Sequence, residues 1–108
     1  MRERNIEKAI YEVKKTLNKH LEQRVELYLF GSVARGEHLP DSDIDILVLV
    51  SGQVNTSLEE KIIDLIYGIE LEYNVVFGVV IYSKDFWSSQ KAKVMPFYQN
   101  VQKEAQRI

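Results

Sequence analysis

The feature that most constrains the fold is the run Asp43–Val50, where an Asp-Ile-Asp start leads into an almost uninterrupted apolar series. Such runs are typical of strands that are buried on both faces, because helices cover each side of their sheet. A chain of 108 residues is long enough to bury one core and too short for a second domain. The sequence therefore predicts a single domain, 1–108, of the α/β (α+β) class, with helices flanking a small sheet.

Apolar spacing predicts two elements before this strand. A stripe at steps of three and four is typical of an amphipathic helix, and it contains Ile6, Ile10, Val13, Leu17 and Leu21. The short β-branched and aromatic segment Val25–Phe30 predicts a buried strand that stops at Gly31.

Three further elements are expected after it. Thr56 or Ser57 is expected to cap a second helix, which ends between Gly68 and Tyr73 and buries Leu58, Ile62, Leu65 and Ile69. Residues 75–82 predict a strand interrupted by Gly78. Pro96 opens a last helix, whose single apolar face holds Phe97, Val101, Ala105 and Ile108. The predicted order is α-β-β-α-β-α.

Composition narrows the function classes. The net charge of −2 and the absence of an evident basic patch argue against binding of a long nucleic acid. No apolar run approaches the roughly 18–20 residues that span a bilayer. The absence of cysteine excludes disulfides and thiolate metal sites. Because the first residues also lack the apolar core of a signal peptide, we expect a cytoplasmic protein without a membrane segment.

A Gly-Ser turn follows the first predicted strand. Gly31 lets the backbone approach an anion closely, Ser32 adds a hydroxyl donor, and the first N–H groups of a short helix would point at the negative charge. Arg35 adds a cation three residues later. The turn is a candidate phosphate site, although the same pattern also fits a plain turn.

Asp43 and Asp45 are two residues apart, so on a strand both carboxylates emerge on one face with Cα atoms roughly 6.5–7 Å apart. Two adjacent carboxylates repel each other, and a divalent cation removes that repulsion. Carboxylate oxygens together with substrate phosphates suit Mg²⁺. The alternative is a solvated loop in which Asp41, Ser42 and Asp43 act as capping residues.

Taken together, these motifs resemble a known signature. Gly31-Ser32, ten intervening residues and then Asp43-Ile-Asp45 is similar to the pattern of the DNA polymerase β-like nucleotidyltransferase superfamily. Within it, the segments 30–36 and 41–48 resemble the minimal nucleotidyltransferases, which often pair with a helical HEPN protein in toxin–antitoxin modules.

The resemblance implies a small mixed sheet and a Mg²⁺-dependent transfer of a nucleoside monophosphate, AMP from ATP, to a partner protein or small acceptor. Gly31, Ser32 and Arg35 would bind the nucleotide phosphates, and Asp43 and Asp45 would be catalytic metal ligands. The implied partners are a nucleoside triphosphate and a helical HEPN-type protein, with self-association left open.

One departure from the family pattern affects the expected activity. Active members usually carry a third carboxylate near the start of the next strand, where this chain has Val76. Glu72 is the best substitute and is predicted as a catalytic acid, ahead of Glu70 and of Asp85. The alternative functions are a catalytically weakened nucleotide-binding, antitoxin-like module, and an interaction domain in which the motif is accidental.

Overall fold

The computed structural model describes residues 2–39 and 41–108, which form one sheet with helices on both faces. The helices are α1 (Arg2–His20), α2 (Gly31–Arg35), α3 (Thr56–Tyr73), α4 (Lys84–Trp87), α5 (Gln90–Lys93) and α6 (Pro96–Glu104). The strands are β1 (Val25–Phe30), β2 (Ile44–Val50), β3 (Phe77–Ser83) and β4 (Gln106–Arg107). Within these ranges, no helix is both long and apolar enough to cross a membrane.

The sheet is mixed and has the strand order β3-β2-β1-β4. β1 pairs antiparallel with both β2 and β4, whereas β2 pairs parallel with β3. β2 is therefore an inner strand, and every residue from Ile46 to Val50 is buried. The expected small mixed sheet flanked by helices is confirmed.

The two faces of β2 pack against different helices. Ile44, Ile46 and Val48 belong to the main core, together with the buried stripes of α1 and α3. Leu47 and Leu49 point the other way and pack with Trp87 of α4 and with Val101 of α6. Because side chains alternate along a strand, Asp45 shares the α4–α6 side with Leu47 and Leu49.

The two long helices bury the stripes expected from their sequences. In α1 the stripe is buried except for the half-buried Ile10, and in α3 Ile66 is fully buried where Leu65 was expected. The predicted caps of α3, Thr56 or Ser57, were wrong by one and two residues. Asn55 is the N-cap, and its Oδ1 accepts a hydrogen bond of 2.8 Å from the Leu58 N–H. Asparagine is as good an N-cap residue as serine, so residue type does not distinguish Asn55 from Ser57. The extended backbone that an N-cap requires is found at Asn55.

The C-terminal segment differs from the prediction. The last helix ends at Glu104 instead of continuing through Ala105 and Ile108, and residues 106–107 form β4. The Ile108 N–H donates to the Leu27 carbonyl at 3.0 Å. An uncovered β1 edge would leave backbone groups unpaired, and β4 supplies partners for them.

The predicted order also lacked three short helices: α2, which was expected only as a short helix after the Gly31 turn, and α4 and α5. α4 and α5 lie between β3 and α6, where their capping serines, Ser83 and Ser89, accept hydrogen bonds from the Phe86 and Ala92 N–H groups. β3 begins at Phe77 instead of Val75 and runs through Gly78 without a break.

Candidate active site

The two aspartates lie where three strands meet. Asp43 is exposed just before β2, and Asp45 is half-buried within it. Asp45 pairs with Phe30 at the end of β1 on one side and with Gly78 near the start of β3 on the other. The Asp45 carboxylate is consequently held beside the turn that begins at Gly31.

Two glycines leave room for the Asp45 carboxylate. A Cβ atom at Gly31 would overlap Asp45 Oδ2, and one at Gly78 would lie 2.6 Å from Asp45 Oδ1. Gly31 also has a φ of +76°, a conformation that side-chain-bearing residues rarely adopt. Glycine is therefore required at position 31 both for the backbone conformation and to leave room for Asp45, whereas at position 78 it is required only to leave room. From sequence, Gly78 was interpreted only as a strand interruption.

Negative charge accumulates around Asp45. Burial raises the pKa of the Asp45 carboxyl, the negative charges of Asp43 and Glu104 raise it further, and the Arg35 cation partly opposes them. Ionised Asp45 is thus costly in the protein alone, and a cation at this position would reduce the cost.

The donor chemistry fits a hard divalent cation. Asp45 offers carboxylate oxygens in the space that Gly31 and Gly78 leave open, and Asp43, just before β2, is close enough for its negative charge to raise the pKa of Asp45. In the part of the chain that the structure describes, no group of three histidine, cysteine or acidic side chains could hold a metal. A site with two carboxylates suits Mg²⁺, which takes its other ligands from water and substrate phosphates.

The Gly31 turn holds an anion supplied by the chain itself. The Gly31 N–H donates to Glu104 Oε2 at 2.5 Å, and Arg35 Nη1 lies 3.0 Å from Glu104 Oε1. The Gly31 N–H is the main cause that lowers the pKa of the Glu104 carboxyl, and Arg35 lowers it further. Arg35 also pairs with Glu37, through its Nε at 3.1 Å.

The sequence interpretation did not single out Glu104. It lies 73 residues after Gly31, at the end of a helix, and no local pattern links the two. Ser32 follows Gly31 in the turn and is half-buried, and its carbonyl accepts the Glu37 N–H at 3.0 Å. The phosphate-binding roles of Gly31, Ser32 and Arg35 remain predictions.

Position 76, where the family pattern has a third carboxylate and this chain has valine, lies next to the start of β2. The Val76 carbonyl accepts the Ile44 N–H at 2.8 Å, and the Val76 side chain is 57% exposed. Residues 76 and 78 share a face of the extended chain. Because Gly78 faces Asp45, a carboxylate at position 76 would lie on the face that carries Asp45.

The structure does not gather the three substitute acids around the aspartate pair. Glu72 is exposed in the last turn of α3, and Glu70 Oε2 accepts the Phe77 N–H at 2.7 Å. Asp85 is exposed in α4, beyond the far end of β3. The catalytic role of Glu72 stays a prediction, and it requires the Glu72 side chain to move towards Asp43 and Asp45.

Comparisons with known proteins agree with this geometry. Residues 10–105 match the model of the Nucleotidyltransferase domain family. Two Methanocaldococcus jannaschii proteins are similar. "Putative protein adenylyltransferase MJ0604" is 36% identical over 101 residues, which are 93% of this chain and 94% of that protein. "Putative protein adenylyltransferase MJ0141" is 33% identical over 81 residues, which are 74% of this chain and 82% of that protein.

Among solved structures, a chain from the crystal structure of a toxin-antitoxin with AMP-PNP has a TM-score of 0.62 and 19% identity. The match covers 90% of this chain and 69% of that chain, and at this identity it shows the fold alone. The family match and the two relatives carry the assignment further: this chain belongs to the nucleotidyltransferase domain family.

Proposed function

We propose that this protein is a Mg²⁺-dependent adenylyltransferase that transfers AMP from ATP to a hydroxyl of a partner protein or small acceptor. The acceptor oxygen attacks the α-phosphorus as the bond to the bridging oxygen of the β-phosphate breaks. AMP becomes attached to the acceptor, pyrophosphate leaves, and the hydroxyl proton passes to a carboxylate of the site or to water. We expect the reaction to occur in the cytoplasm.

The observation that carries this proposal is the placement of Asp45 beside the Gly31 turn, where two glycines leave room for its carboxylate and the negative charge of Asp43 lies nearby. Asp43 and Asp45 would hold the metal, and Gly31, Ser32 and Arg35 would bind the β- and γ-phosphates. Bound Mg²⁺ supplies charge neutralisation to the phosphate oxygens. Positioning then accounts for most of the rate, because phosphoryl chemistry of this kind needs little covalent help from protein. The names of the two relatives favour ATP as the donor.

A label-transfer assay tests the reaction. With ATP labelled at the α-phosphate, we expect Mg²⁺-dependent transfer of label to protein or small acceptors in a lysate of the host, with release of pyrophosphate. ATP labelled at the γ-phosphate should leave the acceptor unlabelled. Asp43→Asn combined with Asp45→Asn is the inactive control. Acceptor labelling from the γ-phosphate would show a kinase reaction and contradict the proposal.

A second function is a nucleotide-binding, antitoxin-like module with weakened turnover. It is favoured by the absence, among the described residues, of a third acid that could hold a metal together with Asp43 and Asp45. The two functions differ in turnover. A weakened module would bind Mg-ATP through Asp43 and Asp45 but would not transfer label, even with its natural partner present.

We also propose a protein partner, of the helical HEPN type, that docks on α3. Three exposed apolar side chains recur every four residues on this helix: Ile63, Tyr67 and Leu71. Glu60 and Asp64 are exposed on the same helix, so a partner helix with an apolar stripe and basic margins fits this surface. The toxin-antitoxin assembly of the structural neighbour also motivates a partner. A second copy of this chain is the alternative occupant.

Co-purification from the native host tests this surface. Tyr67→Glu should release the partner, whereas Tyr11→Glu, which changes a similarly exposed tyrosine on α1, should retain it. Recovery of a free monomer that is fully active on a small acceptor would count against a required partner. A homodimer that Tyr67→Glu dissociates would identify the second copy as the occupant.

A further inference from the structure

The Glu104 carboxylate occupies the donors that the proposed function assigns to nucleotide phosphate. It accepts the Gly31 N–H at 2.5 Å, and both of its oxygens lie within 3.2 Å of Arg35 Nη1. An arginine guanidinium and a backbone N–H recognise carboxylate and phosphate oxygens through the same charge-assisted hydrogen bonds. Glu104 and a phosphate group therefore cannot use both donors at the same time.

The contact is placed where it can open. The Glu104 side chain is 23% exposed, so water can solvate the carboxylate when it leaves the turn. Gly31, Arg35 and Glu104 also line a cavity of about 440 Å³ between the turn and α6, which gives the side chain room to move. Glu104 adds negative charge close to Asp45, so an incoming phosphate would meet the repulsion of both carboxylates, and departure of Glu104 would reduce it.

We propose that Glu104 is an internal competitor of the nucleotide: its carboxylate occupies the Gly31 N–H and Arg35 until the phosphates of Mg-ATP displace it. This inference rests on the proposed function and adds a residue that sets its nucleotide affinity. The apparent Kd equals the intrinsic Kd divided by the fraction of molecules in which the turn is open. A turn closed in about nine molecules of ten would weaken binding about tenfold.

Displacement of Glu104 is also expected to loosen the segment that follows α6. Glu104 is the last residue of α6, and β4 follows it directly. Gln106 Nε2 donates to the Ala34 carbonyl of α2 at 2.9 Å, so side chains from two neighbouring positions attach this segment to the Gly31–Arg35 helix. When Glu104 is released, one of these two side-chain attachments is lost and the Gln106 bond remains. Hydrogen exchange of the Ala105 and Ile108 amides should therefore accelerate when Mg-ATP binds.

Calorimetric titration of Mg-ATP into matched variants tests the competition. Glu104→Gln should lower the Kd about tenfold, which corresponds to about 1.4 kcal/mol. Glu37→Gln is the control, because Glu37 also pairs with Arg35 but is not the acceptor of the Gly31 N–H. Both variants remove one negative charge beside the same arginine. A general charge effect would therefore improve binding equally in the two variants, and an equal improvement would overturn the inference.

A second readout follows the turn itself. In the proton–nitrogen NMR spectrum, the Gly31 amide should shift on Glu104→Gln without nucleotide, and on addition of Mg-ATP to the wild type. It should change little on Glu37→Gln. An unchanged or weaker affinity of Glu104→Gln, with wild-type binding intact, would overturn the inference and leave the proposed function standing. If neither protein binds Mg-ATP, both the inference and the proposed function are wrong.

Discussion

Gly78→Ala is the substitution that best separates folding from chemistry in this protein. The added Cβ would lie 2.6 Å from Asp45 Oδ1, and ordinary van der Waals contact begins at 3.4 Å, so the carboxylate must retreat by about 0.8 Å. Retreat is restricted on the opposite side, because Asp45 Oδ2 already lies against Gly31. The Asp45 carboxylate therefore loses its position while the strand stays paired.

The expected loss of activity follows from that displacement. A misplacement of about 1 Å in an active site costs about 10²-fold in rate, which is about 2.7 kcal/mol in the activation barrier. Stability should change little, because alanine is favoured over glycine in a strand by about 0.5–1 kcal/mol and this gain offsets part of the contact. We thus expect kcat/KM to fall about 10²-fold, with a melting temperature within a few degrees of wild type.

Label transfer and thermal melting, measured on the same preparations, check both expectations. Gly68→Ala in α3 is the matched control, because no atom beyond its chain neighbours and its own helix backbone lies within 4 Å of its added Cβ. It should be fully active and more stable by about 0.5–1 kcal/mol. Wild-type transfer by Gly78→Ala would refute the assignment of Asp45 to the metal site. Global unfolding of Gly78→Ala would refute the inference that Gly78 serves only to leave space.

Two further predictions concern the acids. Asp45 has a raised pKa in the folded protein, so its contribution to stability is complete below the ordinary carboxyl range and is lost as pH rises through the raised value. Asp45→Asn should therefore match wild type in acid and, in EDTA without nucleotide, become more stable than wild type towards neutral pH; equal pH profiles would contradict this. If Glu72 is the third acid, Glu72→Gln lowers label transfer by on the order of 10²-fold without weakening Mg-ATP binding. If Glu72→Gln leaves label transfer unchanged and Val76→Asp increases it, the natural protein is a weakened enzyme. If neither substitution changes label transfer, Glu72 is excluded as the third acid and so is a carboxylate at position 76.

Much of this fold could be predicted because its signals are local. The stripes of α1 and α3 and the continuous apolar run of β2 each fall within one element, where spacing alone decides which side chains are buried. The sequence likewise predicted both aspartates on one face of a strand, since the period of a strand is two, but β2 begins at Ile44, one residue after Asp43. The C-terminal segment was harder. Ala105 and Ile108 continue the helical spacing of α6, but the open edge of β1 offered backbone pairing that spacing does not reveal.

The rest of the site depends on contacts between distant parts of the chain. The parallel register that sets Gly78 beside Asp45 cannot be determined from either strand alone. Glu104 resembles any exposed glutamate at a helix end until folding brings it to Gly31. Local sequence therefore identified the proposed ligands, whereas the glycine clearance and the competing carboxylate emerged only with the tertiary structure.

The most direct test of the proposed metal–nucleotide site is the melting temperature with and without Mg-ATP, measured for wild type and for Asp43→Asn combined with Asp45→Asn. A ligand that binds only the folded state stabilises it by about 2.7 kcal/mol at a hundredfold excess over Kd, which raises the melting temperature of a domain of this size by about 10 °C or more. We predict this rise for wild type and none for the double variant. An equal rise in both proteins would contradict the assignment of Asp43 and Asp45 as the metal ligands.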